Sequence, residues 1–446
     1  MLTGWGRTAP SRAAVVAQPT TGDAVRAALL DADGRGVIAR GLGRAYGDAA
    51  QNAGGVVVDT TRFAQDVVID AERARVTLGA GVSLDSLVDR LLPHGLFVRV
   101  SPGTRYVSVG GAIAADIHGK NHHVDGAFCK HVDSLDLLTP TGDVLTVAKD
   151  SDVFWATAGG MGLTGVVLRA TLDLERVETA WMVVDTERAS NLDDALARFV
   201  DRDDAYRFSV AWIDCLARGR NLGRSVLMRG NHARRADLPS STPPLVSPPR
   251  LKLRTPPWVP GGLVNRWSIT AFNEAYYRRA PRDKRGRLES LDRYLYPLDS
   301  ISDWNRLYGR QGFLQYQFVV PIGEEDALRA ILERVSSAGC PAFLAVLKRF
   351  GAEQGLISFP MPGWTLALDV PAALPGLGPL LDALDLIVAE SGGRVYLAKD
   401  SRLRPELLEQ MYPKLDEWRE IQARLDPEGR MQSDLARRLS LVRRPA

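Results

Sequence analysis

Three glycine-rich stretches hold the residues whose types and spacing could hold a dinucleotide. Gly160-x-Gly162-x-x-Gly165 has the spacing that brings backbone close to a pyrophosphate, provided that a strand precedes it and a helix comes after it. Beyond Gly165 stand Val166, Val167, Leu168, Ala170, Leu172 and Leu174, an apolar, β-branched series at period two that predicts a strand. The motif therefore reads as a loop between strands that a ligand approaches, not as a nicotinamide site. ARGLGRAYGDAAQN (39–52) directly follows the apolar GVIA, and SPGTRYVSVGGAIAADIHGKNHH (101–123) is the third stretch. Successive backbone N–H groups in such turns form anion nests, so a pyrophosphate could be held although the chain has no GxxxxGK[ST]. Three such turns beside strands predict a dinucleotide cradle.

His118, Lys120, His122 and His123 fall within one of these stretches. His118 and His122 have the i, i+4 spacing of a helical zinc pair, but Gly119 between them is a poor helix former and no HExxH glutamate is present. No metal is expected. Cys129, Cys215 and Cys340 are too far apart for a zinc ribbon and odd in number, which argues against a disulfide framework.

The elements that must position these residues fall into two textures. Residues 1–178 alternate short strands (GVIA, GGVVVD, ARVTLGAG) with helices; SLDSLVDRLL places Leu87, Val88, Leu91 and Leu92 on one face behind a Ser83 cap. SLDLLTPTGDVLTV predicts two strands around a Pro-Thr-Gly-Asp turn. From 179 to 393 the strands are longer (YRFSVAWID, GFLQYQFVVP, PAFLAVLKRFG, WTLALDVP), with helices near 324–338 and 377–391. This pattern predicts one antiparallel sheet with helices on one side, an α+β arrangement. Period two groups Gln315 with Gln317, Val346 with Lys348 and Phe350, and Thr365 with Ala367 and Asp369. Each strand thus offers one apolar and one partly polar face, which an exposed sheet face would explain as well as a pocket. Residues 394–446 close the chain with a helical stretch, PELLEQMYPKLDEWREIQARL. Residues 236–260 hold eight prolines and predict neither helix nor central strand but a mobile lid or linker, with Leu245, Leu251 and Trp258 as its apolar grip.

The bulk numbers restrict the class. A chain of 446 residues accommodates roughly two to four domains. The 56 cationic and 53 anionic side chains are interspersed, so no nucleic-acid stripe appears. No apolar run approaches the ~20 residues of a bilayer span, and the first residues lack the apolar region of a signal peptide. A soluble protein is expected, cytoplasmic or peripheral at the plasma membrane.

At RGLGRAYGD, PGTRYVSVGGAIAADIHGKNHH and FWATAGGMGLTGVV the sequence resembles the vanillyl-alcohol-oxidase-type FAD-binding oxidoreductases. LTGWGRTAP, WNRLYGRQGFLQYQFVVP, FPMPGW and AKDSR extend the resemblance, in order, toward members that oxidise a polyprenyl-phosphate ribose. The resemblance implies a two-domain α+β fold of the vanillyl-alcohol-oxidase (PCMH) type, with FAD bound by 1–178 and 394–446 beneath an antiparallel-sheet cap. It implies cofactor contacts from Arg40, Gly41, Leu42, Gly43, Arg44, Ala45 and Tyr46; from Gly103, Thr104, Gly110, Gly111, Ala114, Ile117, Gly119, Asn121 and His122; and from Gly160, Gly162, Gly165, Val166 and Tyr396. Substrate contacts would come from Tyr46, His118, Lys120, Trp212, Asn305, Gln315, Gln317, Lys348, Phe350, Thr365, Ala367 and Lys399. Arg44 stands where some members carry a flavin-linking histidine, so a non-covalent FAD is implied.

The implied activity is oxidation of the ribose 2'-hydroxyl to a ketone, which a separate NAD(P)H-dependent reductase would complete to the arabinose epimer for cell-wall arabinan. Lys120 is the implied partner of the substrate phosphate, and His118 lies beside the flavin. Lys399 would be the base or the cation that stabilises reduced flavin, whereas on the residues alone it reads as an exposed lysine paired with Asp400. An aldonolactone or alditol oxidase on the same fold, and a non-catalytic binding protein, remain alternatives.

Overall fold

The computed structural model describes residues 1–446 except 33, 64–65, 249–252, 257 and 444–446. The glycine-rich part is built on two sheets. Val15–Ala17, Val56–Asp59 and Val37–Arg40 form a parallel sheet with Val56–Asp59 in the middle. An antiparallel sheet runs Val67–Asp70, Arg75–Gly79, Val166–Arg176, Val132–Leu138, Val144–Ala148, and Leu96–Val98 also pairs with Val166–Arg176. The period-two series after Gly165 is therefore a strand, long enough to bind three partners. The predicted hairpin turns at Gly142 (φ +92°), where Thr139 N–H donates to the Asp143 carbonyl at 2.8 Å. The helix Leu84–Leu91 begins at Ser83, whose hydroxyl accepts from Ser86 N–H, and it buries Leu84, Leu87, Val88 and Leu91.

The second part is one eight-stranded antiparallel sheet, ordered Asp283–Ser290, Trp181–Ala189, Ser225–His232, Phe208–Ile213, Ala345–Phe350, Gly363–Pro371, Phe313–Pro321 and Arg394–Val395. Alternation divides its residues. Ala211, Ile213, Leu227, Leu347, Leu366, Leu368 and Phe318 join a buried core with Leu196 and Phe199, Leu328 and Ile331, and Leu381 and Leu384, which come from helices Leu192–Arg202, Glu325–Ser337 and Leu377–Glu390. Each buried leucine there contributes roughly 1.5–3 kcal/mol. The opposite face is turned toward the glycine loops.

Four expectations are corrected. The middle part holds helices Leu192–Arg202 and Arg266–Arg279 besides the two predicted. The first has a plain 3.6-residue stripe behind Asn191, whereas the second buries only Ile269 and Asn273. The C-terminal helical stretch is two helices, Pro405–Met411 and Leu415–Leu425, followed by Asp434–Leu439, because Pro413 lacks an N–H and disfavours helix at the preceding Tyr412. The loop at Gly160 is entered from a short helix, Asp152–Thr157, not from a strand. Finally, the proline-rich segment does make a ladder: Leu253–Arg254 pairs in parallel with Ile301–Ser302, since neither residue is proline and both keep their N–H. Leu245 is half-buried and Trp258 exposed, while Leu251 lies outside the described residues.

Candidate functional site

A cavity of about 520 Å³ lies between the glycine loops and the polar face of the large sheet. The first loop leaves the strand Val37–Arg40, and Gly41, Leu42, Gly43, Arg44, Ala45 and Tyr46 line the cavity. Arg40 does not: its guanidinium folds behind the loop, donating to Thr3 O at 2.7 Å and Ala50 O at 2.9 Å. A Cβ at Gly43 (φ +63°) would lie 2.3 Å from that guanidinium, so the turn requires glycine. Tyr46 N–H donates to Ala398 O at 2.9 Å, which stitches this loop to the segment carrying Lys399.

In the second loop Gly103, Thr104, Gly110, Gly111, Ala114, Ile117, His118, Gly119 and Lys120 line the cavity. Asp116 holds a left-handed turn (φ +37°), pinned by Cys129 N–H at 2.9 Å and the Ser358 hydroxyl at 2.7 Å; this aims His118 inward. Asn121 and His122 stand behind the loop instead of lining it. Asn121 donates to Arg99 O at 2.8 Å, and His122 Nδ1 accepts from Gly351 N–H at 3.1 Å. In the third loop Gly162, Gly165 and Val166 line the cavity. Gly160 is a packing glycine, since a Cβ there would lie 2.2 Å from Ala156 O, which also accepts the Trp418 indole N–H at 2.8 Å.

From the sheet come Trp212, Gln315, Gln317, Lys348 and Ala367, and after its last strand Tyr396 and Lys399. Three implied substrate residues lie one layer back. Asn305 donates to Trp5 O at 3.0 Å, Phe350 packs its ring 4.8 Å from His118, and Thr365 accepts from Gln317 Nε2 at 3.2 Å. The Thr365 hydroxyl proton goes to Phe318 O at 2.8 Å, so its oxygen must accept, and this orients the Gln317 amide. The other Gln317 N–H then points at His118 Nε2, 3.0 Å away. His118 is thereby assigned as neutral with its proton on Nδ1, which is buried without a partner.

Burial sets the charge states. Lys399 is not paired with Asp400, whose carboxylate meets Arg438 at 2.8 Å. Its ammonium sits 3.7 Å over the Tyr46 ring, and burial, with the nearby charge of Lys348, lowers its pKa to about 7 against the pull of Asp369. Asp369, raised to about 7 by burial, accepts from Gln315. Burial also lowers Lys348 to about 8. Lys120, which donates to Tyr294 O, is lowered to about 7 by burial and by Lys348. Burial, with the nearby charges of Lys348 and Lys399, holds His118 well below the usual imidazole range. Asp369 was grouped with the polar face by alternation but not placed in the site; Glu289, Tyr294 and Trp5 carried no sequence signal. Among the described residues no group of three His, Cys, Asp or Glu side chains gathers to hold a metal.

The site fits a dinucleotide. Gly103 lines the cavity, and a Cβ there would meet no atom within 4 Å, so its backbone is open to a ligand. Arg44 Nε is buried without a partner, its guanidinium 3.8 Å over the Trp5 ring, leaving a cation free for an anionic ligand.

Comparison with known proteins agrees with that geometry. Residues 13–148 match the FAD binding domain family, and 375–439 match the D-arabinono-1,4-lactone oxidase family. The chain is similar to the decaprenylphosphoryl-beta-D-ribose oxidase of Mycolicibacterium smegmatis, 46% identical over 99% of this chain and 97% of that one. It is 43% identical to a Streptomyces coelicolor protein described by its position 5' of mprA, over 81% of this chain and all of that one (100%). Cytokinin dehydrogenase 5 of rice is 34% identical over 34% of this chain and 30% of its own length.

Proposed function

The chain belongs to the decaprenylphosphoryl-β-D-ribose oxidase family of FAD-binding oxidoreductases, and from that premise we propose that its cavity oxidises the 2'-hydroxyl of a decaprenylphosphoryl-β-D-ribofuranose to the ketone. The observation that carries this reading is the convergence of Lys120, Lys348 and Lys399 on one buried cavity whose other wall is the glycine cradle. Forming the ketone takes a hydride from carbon and a proton from oxygen. Bound FAD supplies the two-electron acceptor for that hydride. The proton goes to Lys399 Nζ, which at a pKa of about 7 is available as a base near neutral pH; Asp369 holds it in place electrostatically. Lys120 and Lys348 repel each other, so the substrate phosphate is favoured between them. Gln317 and His118 orient the ribose, and the rings of Phe350, Phe359 and Tyr396 around His118 exclude water.

In this reading 1–178 and 394–446 hold FAD without a covalent bond, 179–393 bind substrate, and 236–260 act as a lid. The keto product requires a separate nicotinamide-dependent reductase, and a polyprenyl substrate places the protein at a membrane surface. The test is anaerobic bleaching of the purified flavoprotein by prenyl-phosphoriboses of increasing chain length, with free ribose, aldonolactones and alditols alongside. Bleaching by prenyl-phosphoribose alone supports the reading. Bleaching by free sugars or lactones replaces it with an aldonolactone-type oxidase, and no bleaching by any of them leaves a binding protein.

A further inference from the structure

Between the proline-rich segment and helix Arg266–Arg279, large apolar side chains stand in solvent: Trp258 is 74% exposed, Leu263 55% and Trp267 82%. Beside them is a second cavity of about 870 Å³, lined by Trp258, Arg7, Arg266, Arg306 and Arg310, and among the described residues no Asp or Glu lines it. Arg306 reaches Asp303 at 3.4 Å. The other three have no carboxylate partner among the described residues. Indole rings beside unpaired cations match the interfacial layer of an anionic bilayer, where the ring sits at headgroup depth and the guanidinium meets phosphate.

The same helix leads from this patch to the active cavity. Trp267 lies in its first turn, and Phe272 and Tyr276 line the cavity. Tyr276 packs 4.7 Å from Trp212 and Phe272 5.2 Å from Phe343, while Phe272 is 40% exposed. An aromatic path thus runs from the cavity wall to its lip beside the patch. We propose that Trp258, Leu263 and Trp267, with Arg7, Arg266 and Arg310, dock on an anionic phospholipid bilayer and set the cavity lip against it, so that a prenyl-phosphate substrate enters without leaving the membrane. This rests on the substrate reading above. A second copy of the chain is a poorer occupant, because a two-fold contact would set these arginines against one another.

The test is flotation of the full chain with vesicles of phosphatidylcholine alone or mixed in equal parts with phosphatidylglycerol. Binding is expected only to the mixed vesicles. It should weaken as salt shortens the screening length from about 10 Å at ~0.1 M to about 3 Å at ~1 M. Trp258→Ser/Trp267→Ser should abolish it, and Arg266→Gln and Arg310→Gln should each weaken it about fivefold. Turnover of a short-chain, water-soluble prenyl-phosphoribose should be unchanged in Arg266→Gln and Arg310→Gln. No binding to the mixed vesicles, equal binding to both kinds, variants that float like wild type, or variants that abolish self-association in sedimentation overturns the proposal. Vesicle binding that responds to the variants in a protein that no prenyl-phosphoribose bleaches supports the docking surface and overturns only the substrate reading.

Discussion

The Lys399 ammonium lies 3.7 Å from the centre of the Tyr46 ring, joining the segment after the last sheet strand to the first glycine loop. The ring covers the cation without neutralising it, and Asp369 is the carboxylate whose charge offsets it. Burial brings both groups to a pKa of about 7, so near neutral pH a proton moves on or off the pair at little cost.

Lys399→Met keeps much of the side-chain length and removes the amine that takes the proton. The variant should fold and bind FAD, yet its flavin should be reduced about 10²–10⁴ times more slowly, the usual loss for one positioned general base. Anaerobic stopped-flow bleaching measures this; a rate within about threefold of wild type, well inside that loss, would return Lys399 to a structural role.

The buried lysines set how stability depends on pH. Folded Lys120 and Lys399 titrate near 7 and Lys348 near 8, against 10.5 for an unperturbed lysine. Above those values the unfolded chain binds more protons than the folded one, so stability rises with pH. The rise should be clearest from about pH 7 to 9, before the raised cysteine and tyrosine values begin to oppose it. Urea unfolding of the flavin-free protein should show it. Lys348→Met should gain on the order of 1–3 kcal/mol at pH 7 and flatten the curve above pH 8.

Arg44 cannot form the flavin bond that a histidine forms, so acid denaturation should release all yellow colour into the supernatant. Arg44→Ala should weaken FAD binding by about 1.5–3 kcal/mol, the range for a hydrogen bond to a charged group, in a fluorescence titration of the flavin-free protein.

Thr365 orients Gln317, which in turn faces His118. Thr365→Val removes the acceptor at 3.2 Å from Gln317 Nε2 and leaves a buried donor unpaired, so a loss of about 1–3 kcal/mol in urea unfolding is expected. Thr365→Ser keeps the hydroxyl and should restore both stability and the His118 tautomer, read from ¹⁵N chemical shifts of the imidazole.

Alternation along a strand is covalent geometry, so GFLQYQFVV by itself determined that Gln315 and Gln317 share a face, and WTLALDV that Thr365, Ala367 and Asp369 do. The glycine turns were legible for the same local reason, as was the strand after Gly165. Pro413 also marks, within the sequence itself, the break that divides the C-terminal helical stretch. Which polar face would be covered was not local. Lys399 looked like a surface lysine beside Asp400 until Arg438, from the far end of the chain, took that carboxylate and the first loop placed Tyr46 beneath the ammonium. Gly160 shared its spacing with Gly162 and Gly165, yet a Cβ there would strike Ala156 O at 2.2 Å, with the Trp418 indole 3.3 Å away as a further constraint, distant in sequence. Burial, and with it the charge state of each lysine, depends on surfaces brought together from opposite ends of the chain, so only the tertiary structure decided it.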